Sequence, residues 1–89
     1  MWFITLVKLK QAPKPEEAAE MNKMMQDAAT KMGVKIHQGF MTLGRYDMVW
    51  ISEADDVSGP MRMSMMSADT ASSETLVATS YEDAMKWMM

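Results

Sequence analysis

The chain has 89 residues, a formal net charge of −3, 48% hydrophobic residues and no cysteine. This length predicts one domain over residues 1–89, and the composition excludes disorder, disulfide frameworks, zinc knuckles and thiol nucleophiles. The negative charge disfavours a nucleic-acid partner, and no apolar stretch approaches the roughly 20 residues that span a membrane. The cytoplasm is the default location for a chain of this composition.

The first predicted element is a strand over residues 2–9, rich in β-branched and aromatic residues. Alternate residues point to opposite faces of a strand, and here both faces carry mostly apolar side chains. A strand of this kind is typical of a sheet that is covered on both sides.

A helix is predicted from Pro15 to about residue 32, because proline suits the first helical position. Apolar residues recur at steps of three and four along it, which gives one stripe of Ala18, Met21, Met25, Ala28 and Met32. Gly33 follows as the residue that ends the helix.

Four further elements complete the chain. Residues 34–43 and 46–53 read as two strands joined by a tight turn at Gly44-Arg45, which makes an antiparallel hairpin. Residues 54–59 read as a polar turn, and a second helix is predicted from Pro60 to about Asp69. A fourth strand over 74–80 and a short final helix follow, with Ser80 as the predicted helix cap.

The order βαββαβ predicts a ferredoxin-like α+β fold, with a four-stranded antiparallel sheet, helices on one face and a short C-terminal helix. The helices cover only one face, yet the strands are apolar on both. A second copy of the same sheet would cover the other face, and small domains gain stability from association. We therefore expect a homodimer or higher oligomer.

The run Gly44-Arg45-Tyr46-Asp47, with its apolar flanks, resembles the turn for which the GYD-domain family is named. Matching segments elsewhere are Thr5 to Leu9, Gly39-Phe40 and Ser73 to Leu76. The resemblance covers nearly the whole chain and implies a ferredoxin-like domain of the dimeric α/β-barrel type. It implies no particular activity. The excess of methionine and the single His37 depart from the family pattern.

The Gly44–Asp47 run has a structural and a functional interpretation. In the structural one, which we favour, Gly44 permits a positive φ and Asp47 accepts backbone N–H groups. In the functional one, Arg45 offers a fork of donors to a carboxylate or phosphate. The candidate ligand-binding residues are Arg45, Tyr46 and Asp47 of this run, together with Trp50. Trp50 is included by analogy to dimeric α/β-barrel proteins, in which it would line a pocket with Tyr46 and His37.

His37 is the only histidine and is the candidate catalytic residue, because an imidazole changes charge near neutral pH. Strand alternation predicts that it shares a face with Lys35, Gly39 and Met41. Nothing in the sequence places a carboxylate beside it, so a solvated or interface histidine is the stronger interpretation.

The chain contains 14 methionines, and four stand within six residues as Met61, Met63, Met65 and Met66. Thioethers are soft ligands that select Cu(I), which makes these four the candidate metal ligands. Because leucine is scarce, methionine filling leucine positions in the core or at an interface is the favoured interpretation.

These patterns favour a protein that binds a small apolar or anionic molecule in a pocket between sheet, helices and partner subunit, with no cofactor. One alternative is a small cofactor-free oxygenase or isomerase that uses His37, suggested by fold analogy. The other is a methionine-rich Cu(I)-binding protein. The sequence does not decide whether the protein is an enzyme.

Overall fold

A computed structural model describes all 89 residues and contains four strands and three helices. Their bounds are β1 (Trp2–Leu9), α1 (Pro15–Lys31), β2 (Lys35–Met41), β3 (Met48–Glu53), α2 (Ser58–Met66), β4 (Ala71–Ala78) and α3 (Tyr81–Trp87). The strands form one antiparallel sheet in the order β2-β3-β1-β4. This topology confirms the predicted ferredoxin-like fold with its additional terminal helix.

Helix α1 begins and ends where the sequence predicts. The Glu17 carboxylate accepts the backbone N–H of Lys14 at 3.2 Å, which satisfies a donor that the first turn leaves free. At the other end Gly33 has a φ of +71°, the left-handed conformation that glycine adopts without strain. None of the three helices combines the length and the apolar character needed to cross a membrane.

The bounds of three strands differ from the prediction. Strand β2 spans Lys35–Met41 rather than 34–43, and β4 ends at Ala78 rather than at residue 80. Strand β3 begins at Met48 rather than at residue 46, because the backbone N–H of Thr42 donates to the carbonyl of Asp47 and so places residues 43–47 in a turn. Strand β4 begins at Ala71 rather than Glu74, because its first residues continue the ladder with β1 as far as the Leu9–Ala71 pair. Pairing with β1 therefore keeps the polar residues Ser72 and Ser73 in the sheet, although their sequence does not favour a strand.

Helix α2 starts at Ser58, two residues before the predicted Pro60, and ends at Met66. The Asp56 carboxylate accepts both the backbone N–H of Ser58 at 2.8 Å and its hydroxyl at 2.6 Å. These two hydrogen bonds hold the pKa of Asp56 below its ordinary value. The same two bonds fix Ser58 as the first residue of the helix. Gly59 therefore belongs to the first helical turn and not to the preceding loop.

The hydrophobic core lies between the helices and one face of the sheet. Buried side chains of β1 and β3 point toward the helices, namely Phe3, Thr5, Val7 and Ser52. Phe3 packs in a cluster with Ala29, Val34 and Ala54, and three partly buried residues close it: Met32, Ile36 and Met63. From the α1 side, the cover of this cluster comes from Ala29, which lies next to the predicted stripe, and from Met32, the last residue of that stripe. Met63 of α2 adds to it, whereas Ala18 at the start of the stripe is exposed.

The opposite face of the sheet has no helix over it, and we call it the open face. Pairing register places seven apolar side chains on it: Trp2, Ile4, Leu6, Phe40, Val49, Ile51 and Leu76. Phe40 is 47% exposed, Leu76 43% and Trp2 39%. The chain is only 19 Å across its shortest dimension, as expected for two layers, one of helix and one of sheet.

Candidate functional site

The Gly44–Asp47 run forms a turn that fastens β3 to β1. The backbone N–H of Asp47 donates to the carbonyl of Val7 at 2.7 Å, and its own carbonyl accepts the N–H of Thr42 at 2.9 Å. Its carboxylate accepts the N–H of Leu9 at 2.8 Å and lies 3.7 Å from the ammonium of Lys8. These contacts support the structural interpretation of Asp47.

The Tyr46 side chain crosses from the turn to β4. Its hydroxyl donates to the Glu74 carboxylate at 2.9 Å, and Glu74 pairs with Leu6 and so lies on the open face. That hydrogen bond, together with partial desolvation and the negative charge of Glu74, raises the pKa of Tyr46 above its ordinary value. Tyr46, Glu74 and Lys8 therefore form a polar cluster at one end of the open face.

The raised pKa of Tyr46 can be measured, because the chain contains only two tyrosines. In a pH titration followed by phenolate absorbance, we expect Glu74→Gln to move the later-titrating component to lower pH, since it removes the charged acceptor. Tyr46→Phe serves as the assignment control and should remove that component. An unchanged titration in Glu74→Gln would contradict the Tyr46–Glu74 contact.

The structure separates the other two candidate ligand-binding residues. Arg45 is exposed in the turn beside Gly44, whose φ is +97°, and its side chain makes no hydrogen bond or ion pair. Trp50 pairs with Thr5 and Gly39 and so lies on the helix-covered face. Arg45, Tyr46 and Asp47 are thus brought to one end of the sheet, while Trp50 lies on its other side.

His37 lies on the open face, but not with the neighbours that simple alternation predicts. A bulge between Ile36 and Gln38 leaves His37 unpaired and shifts the register of β2 by one residue. Lys35 remains on the same face as His37, whereas Gly39 and Met41 turn to the helix-covered face. The predicted shared face is therefore wrong for those two residues.

Two partners hold the His37 ring in place. Its Nε2 lies 2.9 Å from a carboxylate oxygen of Glu53, and its ring centroid lies 4.6 Å from that of Trp2. The side chain is 29% exposed, so a single copy of the chain does not enclose it. A carboxylate that orients an imidazole is an arrangement able to take up and release a proton.

Helical geometry divides the four methionines of α2. Met63 packs against the core, whereas Met61, Met65 and Met66 are between 58% and 72% exposed. The favoured core interpretation fits Met63 alone. No group of three or more His, Asp or Glu residues is placed to hold a metal ion, and no buried polar side chain lacks a hydrogen-bond partner.

Open grooves lie at both ends of the sheet. One has a volume of about 410 Å³ and is lined by Met1, Trp2, Val77, Ala78, Thr79 and Trp87. The other, of about 490 Å³, is lined largely by polar residues that include Lys8, Lys10 and Asp47. Sequence reasoning missed Trp2 and Glu74 as members of the end clusters, because their neighbours depend on the pairing register. It named Glu53 only as one of several groups that folding could bring to His37.

These observations define a small ferredoxin-like α+β domain with an uncovered apolar sheet face and a polar cluster at each end of it. A family model for the GYD domain matches residues 3–88, and the chain belongs to the GYD-domain family. This confirms the resemblance carried by the Gly44–Asp47 turn.

Among solved structures, the chain is similar to the B. subtilis protein LrpC, with a TM-score of 0.65 and 13% sequence identity. The match covers 89% of this chain and 50% of the LrpC chain, so this chain spans about half the length of that protein. At this identity the likeness shows the fold alone. Comparison with curated proteins gives no significant match.

Proposed function

We propose that the chain works as a homodimer that binds a small apolar or anionic molecule in a pocket bounded by sheet, helices and partner subunit. The observation that carries this proposal is the open face, where seven apolar side chains stand together without cover. A contiguous apolar patch on a small domain marks an interaction surface. A second open face is the partner of matching size, chemistry and shape, and its contact is self-complementary.

The arrangement of polar groups supports the choice of ligand. His37 and Glu53 lie at one end of the open face, and Tyr46, Glu74 and Lys8 lie at the other. Stacked sheets would enclose an apolar centre with a few polar groups at its ends, which is the usual make-up of a small-molecule pocket. The Lys8 ammonium would attract an anionic group, and the exposed Arg45 guanidinium stands at the same end.

An anilinonaphthalene sulfonate dye tests the proposal, because it is both apolar and anionic. We expect saturable binding with about one dye molecule per dimer, as a single shared pocket requires. Ile51→Lys should abolish the saturable phase, because it places a charge in the centre of the open face. Asn22→Lys is the matched control, since Asn22 is exposed on α1. A dimeric wild type without saturable dye binding would remove the ligand-binding part of the proposal.

The Glu53–His37 contact favours a second candidate function, a cofactor-free enzyme that uses His37 for proton transfer. This function requires that the partner sheet encloses the imidazole. Because His37 is the only histidine, its reaction with diethyl pyrocarbonate can be followed directly by absorbance. We expect slower modification in the wild-type dimer than in monomeric Ile51→Lys, and equal rates would end this candidate.

A further inference from the structure

We propose that α3 is an exchanged arm, packed in the dimer against the second copy of the chain rather than against its own. This inference rests on the proposed homodimer. It concerns a separate surface, and the dimer could exist without it.

The helix has little to hold it within its own chain. It is seven residues long, and isolated helices of that length are marginal in water. Its side-chain bonds are local: the Ser80 hydroxyl accepts the N–H of Asp83 at 3.0 Å, and Lys86 lies 3.8 Å from Asp83. No hydrogen bond or ion pair joins α3 to a strand or to another helix.

Large apolar and aromatic side chains on and beside α3 face solvent in the single chain. Tyr81 is 82% exposed, Trp87 75% and Met88 80%. The radius of gyration is 13.9 Å, whereas a compact chain of this length has a value of about 12 Å. A terminal helix that stands off the body of the domain produces an excess of this kind.

The position of α3 points to the second copy as the surface that covers it. The helix follows β4 at the end of the sheet where Trp2 lies, and Trp2 and Trp87 line the same groove. Trp2 also belongs to the open face. The groove is therefore continuous with the proposed interface, and a partner sheet on the open face comes within reach of α3.

Interface area supports the same occupant. Four strands of six to eight residues give the open face a flat footprint of roughly 450 Å² per copy, or roughly 900 Å² for a pair. Stable protein interfaces bury about 1,200–2,000 Å². Two exchanged helices, each about 10 Å long and 10 Å wide, add roughly 400 Å² when both the helix and the surface it covers are counted. The total then lies within the range of stable interfaces.

Sedimentation velocity over a dilution series tests the arm with two variants of the same helix. We expect Trp87→Gln to raise the dimer Kd at least tenfold, since tryptophan anchors commonly dominate interfaces. Lys86→Gln, also exposed on α3, should change the Kd less than twofold. Thermal unfolding of each variant at monomeric dilution shows whether the domain itself is intact.

A mixture of isotope-labelled and unlabelled wild-type chains gives a second measurement that needs no variant. We expect intermolecular nuclear Overhauser contacts from the Trp87 indole to side chains of the other copy. A wild-type dimer without such contacts, or an unchanged Kd in a folded Trp87→Gln variant, would show that α3 does not pack against the second copy. The proposed homodimer would be unaffected by either result. A monomeric wild type would overturn both the exchanged arm and the homodimer.

Discussion

Replacing Ile51 by lysine is expected to convert the dimer into a folded monomer. Ile51 lies on an inner strand, paired with Ile4 on one side and Gln38 on the other, so its side chain stands near the middle of the open face. In a symmetric dimer the substitution buries two like charges without partners, which costs several kcal/mol. At about 1.4 kcal/mol per tenfold change, the affinity should fall more than 100-fold.

The monomer itself should survive the change, because Ile51 is only half-buried and the core lies on the other face of the sheet. Sedimentation velocity gives the association state and far-ultraviolet circular dichroism gives the fold. Asn22→Lys adds the same charge to α1 and should leave both unchanged. An Ile51→Lys protein that remains dimeric would show that the open face is not the interface.

Replacing Gly59 by alanine is expected to destabilise the domain by about 2 kcal/mol, because an overpacking cost at the upper end of the usual range, about 3 kcal/mol, exceeds the gain in helix propensity. A Cβ atom at Gly59 would lie 2.6 Å from Cγ2 of Val34 and 2.8 Å from the carbonyl oxygen of Met32. Val34 is a buried core residue and the carbonyl belongs to the backbone, so neither can yield without moving the core. The gain in helix propensity, about 1 kcal/mol, offsets only part of this cost.

Urea unfolding measures the effect, and Gly39→Ala is the matched control. A Cβ atom at Gly39 would lie 3.9 Å from the Cβ of Trp50, an ordinary contact, and its φ is not positive. We expect the control to change the free energy of unfolding by less than 0.5 kcal/mol, as is usual for substitutions that meet no obstacle. Equal effects of the two substitutions would contradict the close approach of α2 to Val34.

Elements with strong local signals could be predicted from the sequence. Helix α1 has a proline start, one apolar stripe and a terminal glycine, and the structure reproduces both of its ends. The apolar residues on both sides of β1 predicted a second apolar face of the sheet that the helices do not cover. Burial along that strand agrees, because fully buried residues alternate with less buried ones. The Gly44–Asp47 run predicted both the turn and the family.

Features that depend on long-range pairing could not be predicted in the same way. The bulge at His37 has no signature in the sequence of β2, yet it decides which neighbours that side chain has. Glu53 and Glu74 reach the open face through register with strands far away in the chain, and Tyr46 contacts Glu74 across 28 residues. The sequence predicted Gly59 as part of a polar turn. Its tight packing could not be predicted, because its close neighbours, Met32 and Val34, lie between α1 and β2.

The candidate site was predicted in part for the same reason. The sequence predicted that Asp47 accepts backbone N–H groups, and its carboxylate does accept the N–H of Leu9. That contact joins residues 38 positions apart, so the partner itself depends on the placement of β1 and did not follow from the sequence. Trp50 and Tyr46 were predicted to line one ligand site, but β3 begins only at Met48, so Tyr46 lies in the turn and reaches Glu74 on the open face, while Trp50 lies on the helix-covered face. The two side chains therefore lie on opposite sides of the sheet.

In the proposed homodimer, the open face is covered by a second copy of the chain. Sedimentation velocity of the wild-type protein over a wide dilution series is the most direct test of this arrangement. We predict a species of twice the 10.1 kDa chain mass at micromolar concentration, which dissociates on dilution. A single species at the mass of one chain, unchanged up to the highest concentration, would contradict the homodimer and the pocket that depends on it.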